Sequence, residues 1–168
     1  MQTAESKPKR PTKASEKPYA KKVKLLFLGT GAADWPKKYP PIEQKLARGQ
    51  VRGFSSMLVN GHILIDCGQT VPDVMKRCKV DLAGITDLLL THTHWDHFHQ
   101  DTLLAIADAK DVKLGPLRLW AYPEALKSAP KSNRIEKCPV EIGETFNIHG
   151  FGITGLESNH LDSSLKEK

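Results

Sequence analysis

The stretch ITDLLLTHTHWDHFHQ (85–100) constrains this chain more than any other. Its apolar half reads as a short buried strand. That strand runs straight into THTHWDHFH (91–99), where four histidines and an aspartate fall within nine positions. The chain has seven histidines, so more than half of them crowd the end of one strand. Any fold that accepts the segment must let that strand end open onto a place where polar, metal-ligating groups can converge. In an extended segment, side chains at i, i+2 and i+4 project to one side, which groups His92, His94 and Asp96. His97 breaks the alternation and is expected to point elsewhere as the chain turns toward a helix beginning near Asp101. One segment can therefore offer His92 and His94 to one metal ion, and Asp96 and His97 to a neighbouring one. Imidazole nitrogens and carboxylate oxygens hold zinc at ~2.0–2.2 Å and leave positions open for water. Two such ions about 3.5–4 Å apart can steady the oxygens of a displacement reaction. His99 lies outside the pattern and reads as a bystander. His62 and His149 fall at turns and read as solvated.

The flanks alternate strands and helices. VKLLFLG (23–29) reads as a buried strand ending in GTGAA (29–33), whose glycines permit a tight turn. DWPKKYPPIEQKLARGQVRG (34–53), with three prolines and many charges, reads as a long loop with a helical turn at EQKLA. SSMLVNGHILIDCG (55–68) reads as a hairpin on an Asn-Gly turn. VPDVMKRCKV (71–80) and DTLLAIADAK (101–110) carry helical spacing, LRLWAY (117–122) reads as a strand, and PEALKSA (123–129) opens a helix on proline. CPVEIGETFNIHGFGITGLES (138–158) reads as short strands between glycine turns. The sum is an α/β or α+β chain without internal repeats.

These segments together resemble the metallo-β-lactamase fold superfamily. LLFLGTGAADWP resembles the first strand and glycine turn of its phosphodiesterase and ribonuclease Z-like branches, and SSMLVNGHILIDCG resembles the hairpin that follows. LLLTHTHWDH resembles the metal motif, and GITGLESNH the later strand that delivers a further histidine. The resemblance covers residues 23 to 160 and implies an αβ/βα sandwich, of which this chain holds largely the N-terminal half. It implies two divalent ions, zinc with manganese or iron as alternatives. His92, His94 and His160 would bind the first ion, and Asp96 and His97 the second. Asp66 would lie behind the ions and orient a ligand. The implied reaction is attack of a metal-bound hydroxide on a phosphorus or carbonyl centre, with Asp96 as the catalytic carboxylate that helps orient the water. The glycine turn and the hairpin favour phosphodiester hydrolysis over β-lactam or thioester chemistry. The tRNA 3′-processing endonucleases share the early motifs. The cyclic-phosphate phosphodiesterases of phosphonate breakdown are also similar, but residues 34–53 lack the cysteine of their corresponding loop.

The family takes its bridging aspartate and last histidine from a second half, whereas only eight residues, LDSSLKEK, follow His160. The sequence therefore reads as an incomplete domain (23–168) of a longer hydrolase. As an isolated chain it is expected to be poorly active and marginally stable, with an apolar sheet face prone to self-association. A non-catalytic metal-binding or interaction module is the competing reading. Charge adds a third. The formal net charge is +6, but residues 1–22 hold seven Lys or Arg against two Glu, leaving 18 basic and 17 acidic residues elsewhere. The basic character belongs to a tail whose composition cannot bury enough surface to order it. That tail could touch nucleic acid, while the near-neutral body is better suited to a small-molecule or nucleotide phosphodiester. No apolar run is long enough for a membrane span or a signal peptide. Cys67, Cys78 and Cys138 form no CxxC pair or disulfide framework, which fits a reducing, cytoplasmic setting.

Overall fold

The structure is a computed structural model and describes residues 22–32 and 52–158. The expected disordered tail (1–22), apart from Lys22, most of the 34–53 loop with its helical turn, and His160 lie outside the described residues. Strands β1 (Leu25–Gly29), β2 (Ser56–Val59), β3 (Ile63–Ile65), β4 (Asp87–Leu89), β5 (Leu117–Ala121) and β6 (Ile135–Pro139) form one sheet in sequence order. β1 to β3 pair antiparallel, and β3 to β6 pair parallel. Helices α1 (Val71–Arg77), α2 (Gln100–Ala109) and α3 (Pro123–Ser128) occupy the three parallel crossovers, which a two-residue turn could not span. β7 (Thr145–Ile148) and β8 (Phe151–Thr154) form a separate antiparallel hairpin. The β2–β3 turn is built as its sequence demands. Asn60 (φ 52°) and Gly61 (φ 83°) are both left-handed, as a two-residue hairpin turn matching the strand twist requires.

The alternation of LRLWA sorts β5 into two faces. Leu117, Leu119 and Ala121 are buried with Leu64, Leu88, Met75, Leu103, Ile106 and Leu126 in the core between sheet and helices. The opposite face carries two cross-strand rows. Phe27, Met57, Ile65, Leu89, Trp120 and Cys138 stand in register, and Leu25, Val59, Ile63, Asp87, Arg118 and Glu136 form the next row. The β7–β8 hairpin meets this face at β5, where Phe146 stacks on Trp120 with centroids 4.9 Å apart and planes 14° apart. At the β1 edge Leu25 and Phe27 are 50% and 65% exposed.

A polar hub anchors the hairpin. Asp87 is fully buried and accepts hydrogen bonds from Arg118 Nη2 (2.8 Å), Trp120 Nε1 (2.8 Å) and Thr86 Oγ1 (2.8 Å), with His149 Nε2 at 2.9 Å. His149 sits in the β7–β8 turn at φ 52°, and its ring packs edge-on against His62, 4.6 Å away. His62 Nδ1 bonds in turn to Asn60 O at 3.0 Å. The two histidines expected to be merely solvated are thus tied into the fold. A turn sequence shows where a histidine falls, but not the buried carboxylate 62 positions away that captures it.

Basic side chains serve the helix ends, where carbonyls lack intrahelical partners. Arg134 donates to Ala107 O, Asp108 O and Lys110 O beyond α2. Lys137 Nζ donates to Leu126 O (2.7 Å) and Ala129 O (2.8 Å) at the end of α3. Lys110 is buried and satisfies its ammonium on the carbonyls of Leu114, Gly115 and Pro116 (2.8–2.9 Å). No described helix is long and apolar enough to cross a membrane.

Candidate metal centre

β4 ends at Leu89, and the next residues form the site. Leu90 N still bonds to Trp120 O (2.9 Å), then Thr91 N turns to Asp66 Oδ1 (2.8 Å). The chain stays open through His94 and then folds. His94 O accepts from both His97 N (2.9 Å) and Phe98 N (2.7 Å). This turn decides where His97 points. Its ring comes to lie 4.1 Å from the His92 ring. The His94 ring lies 4.8 Å from that of His92 on another side. His92, His94, Asp96 and His97 all line one cavity of about 420 Å³, together with Thr30, Gly31, Ala32 and Ser55. Thr30, Ser55 and His97 also border an adjoining cavity of about 430 Å³, which extends to Phe27, Met57 and Ile65.

Two backbone clamps hold the turn from below. Cys67 N donates to His97 O (2.7 Å), and His99 N donates to Cys67 O (3.1 Å). Cys67 is itself buried, and burial pushes its thiol up to about 12, so it is an inert packing group. Gly68 lets the two segments touch. A Cβ there would lie 2.0 Å from the carbonyl oxygen of Asp96. Gly68→Ala is therefore expected to cost at least about 2 kcal/mol and to displace the 94–97 turn. Thermal unfolding reads the cost, and an unchanged melting temperature would contradict it. His99 Nδ1 bonds to Thr102 Oγ1 (3.2 Å) at the start of α2.

Asp66 organises the cluster from behind. It is 4% exposed and adopts φ 59°, a left-handed conformation uncommon outside glycine. Its Oδ2 lies 2.7 Å from His97 Nδ1. Both of its oxygens receive the Thr91 hydroxyl (3.0 and 2.9 Å). The short hydrogen bond to Asp66 raises His97 above the ordinary histidine range. Burial opposes that shift, and the charges of Asp66 and Asp96 add to it. On the cavity side, His97 Nε2 lies 3.5 Å from Asp96 Oδ2. Asp96 is 4% exposed, and its Oδ1 is buried with no hydrogen-bond partner among the described residues. The Nε2 atoms of His92 and His94 are likewise sealed from solvent. Among the described residues no three such donors already converge on a single point. His160, expected with His92 and His94, lies outside them.

In the glycine turn, Gly31 is tied to the segment before β2. Gly31 N donates to Gly53 O (2.8 Å), and Gly31 O accepts from Ser55 N (3.0 Å). Its donor is consumed by the fold, and Thr30 and Ser55 are among the residues that line the cavity. Sequence reasoning passed over those two residues and Thr91. The signal available for Thr91 was a hydroxyl placed immediately before the first histidine of the cluster.

A mixed sheet with helices on one face and a histidine-lined cavity at its strand ends has the form of the metallo-β-lactamase fold, and solved structures agree on that fold. The metallo-β-lactamase fold protein YhfI from Bacillus subtilis superposes with a TM-score of 0.58 at 17% identity, over 79% of this chain and 51% of that one. At the level of sequence, residues 23–127 match the family described as Anti-Pycsar protein Apyc1, and the chain belongs to that family. The Anti-Pycsar protein Apyc1 of Paenibacillus xerothermodurans is 33% identical over 75 residues, 45% of this chain and 26% of the relative. A ribonuclease Z of Agathobacter rectalis is 31% identical over 116 residues, 62% of this chain and 38% of the relative. The chain thus spans less than half the length of the curated relatives it matches.

Proposed function

We propose that the chain carries the metal-binding part of a hydrolase that cleaves phosphodiesters, with divalent zinc as the fitting ion. The observation that carries this is the 3.5 Å separation of His97 Nε2 and Asp96 Oδ2. Two donors each about 2.1 Å from one tetrahedral ion stand about 3.4 Å apart. The buried, unsatisfied Oδ1 of Asp96 points to the same conclusion, because a buried carboxylate oxygen without a partner is costly. In this reading Asp96 and His97 hold one ion, and His92 and His94 contribute to a second that His160 would complete. Bound there, a divalent ion supplies charge that stabilises the oxygens of a displacement at phosphorus. Asp96 fixes and orients the attacking group, and the wall of Thr30 and Ser55 faces the substrate oxygens. Similarity to ribonuclease Z favours, as a second reading, an RNA phosphodiester of the kind met in tRNA 3′ processing. The engagement of Lys110, Arg134, Lys137 and Arg118 in internal hydrogen bonds favours the small diester.

Metal content and turnover of bis(p-nitrophenyl) phosphate by the zinc-loaded full chain test the proposal together. Asp96→Ala and His92→Ala are each expected to lose bound metal and at least about 100-fold in turnover. Retained metal and turnover in both variants would refute the assignment. Metal loss without any parent turnover would instead support a binding module. A labelled RNA 3′ extension assayed alongside separates the two substrate classes.

A further inference from the structure

We infer that Thr91 is a positioning residue that relays the charge of Asp66 to His92, so that one carboxylate sets the tautomer of two imidazoles facing the cavity. The inference rests on the metal-binding reading above and deepens it. A hydroxyl has one proton to give and lone pairs to accept with. Thr91 Oγ1 lies 3.0 and 2.9 Å from the two oxygens of Asp66 and 2.9 Å from His92 Nδ1. An ionised carboxylate can only accept, so the Thr91 proton goes to Asp66. Thr91 Oγ1 must then accept from its other neighbour, which places the proton of neutral His92 on Nδ1. The lone pair of that ring is left on Nε2, the nitrogen sealed inside the cavity wall. Asp66 acts on His97 directly by the same logic. Its Oδ2 is 2.7 Å from His97 Nδ1, which fixes the proton there and leaves Nε2 toward Asp96. Asp66 is held in place for both tasks by the Thr91 N–H at 2.8 Å.

No step of this arrangement could be read from the strand alternation that grouped His92 with His94, because it depends on a residue 25 positions upstream. It also explains why a left-handed, non-glycine residue ends β3. The φ of 59° at Asp66 turns its side chain back under Thr91 and His97, and strain of this kind persists where the surroundings overdetermine it.

Thr91→Val keeps the shape and removes the relay, while Thr91→Ser keeps the hydroxyl. Nitrogen-15 NMR of the metal-free full chain reads the ring tautomers directly. The parent and Thr91→Ser are expected to show His92 protonated on Nδ1. Thr91→Val is expected to lose that preference while His97 keeps its own. Zinc affinity by competition with a chromophoric chelator should fall about tenfold or more in Thr91→Val and recover in Thr91→Ser. A parent His92 protonated on Nε2, or a Thr91→Val protein with unchanged tautomer and affinity, would overturn the relay. If the parent binds no zinc, the metal-binding reading fails and the tautomer measurement still decides this inference.

Discussion

Replacing Asp66 by asparagine is expected to lower zinc affinity by about 10- to 100-fold while leaving most of the fold intact. Asparagine keeps the volume and tolerates the left-handed backbone at this position, where alanine would not. What changes is the proton logic. An amide offers one acceptor oxygen and one donating nitrogen to a site that now presents three donors, Thr91 N, Thr91 Oγ1 and His97 Nδ1. If the amide nitrogen faces His97, the ring must accept at Nδ1 and carry its proton on Nε2, where it can no longer bind an ion. If the oxygen faces His97, the nitrogen meets the Thr91 hydroxyl and reverses the relay to His92. Either orientation spoils one imidazole. Asp66→Ala should add a stability loss of about 3 kcal/mol, because it leaves buried donors unmatched and places a β-carbon without polar compensation at φ 59°. Chelator competition and thermal melting separate the two effects. Equal zinc affinity in parent and Asp66→Asn would show that Asp66 merely braces the chain.

How much of this was legible in the sequence depends on how local each determinant is. The Asn60–Gly61 turn, the helical spacing of 71–78 and 101–107, and the proline opening α3 are decided within a few residues, and each element stands where its pattern put it. β6 was read late because IEKCP begins before the cysteine, and its outward residues are polar and exposed at a sheet edge. The histidine cluster marked the cavity, but the direction of His97 rests on a turn made by the carbonyl of His94, which sequence spacing does not show. The Asp66 and Asp87 hubs are invisible for a stronger reason. Apart from Thr86 beside Asp87, their partners come from positions 25 to 62 residues away, so the chemistry exists only after the sheet is assembled.

Asp87→Ala is expected to be the most destabilising single change in the described residues, at about 3–5 kcal/mol. The carboxylate lies at the second position of TDLLLT (86–91), at the start of β4. In the structure it is the shared acceptor for Arg118, Trp120, Thr86 and His149. Removing it leaves a half-buried guanidinium and an indole N–H with no acceptor, and unties the His149 turn from the sheet. The Phe146–Trp120 stack should loosen with it, so near-ultraviolet circular dichroism should weaken even at temperatures where helix content persists. For a chain of this size the loss corresponds to roughly 10 °C in melting temperature. Burial alone would push the Asp87 carboxyl up. The hydrogen bonds from Arg118, Trp120, Thr86 and His149 outweigh it and hold the group below the usual carboxylate range. A depressed folded-state value means that its stabilisation is complete above the unfolded value of about 3.9 and fades as pH falls below it, through the folded one. The stability gap between parent and Asp87→Ala should therefore be constant from neutral pH down to about 5 and close progressively in stronger acid. A gap that stayed open below pH 3, or a melting temperature within about 2 °C of the parent at pH 7, would show that the hub contributes shape rather than charge.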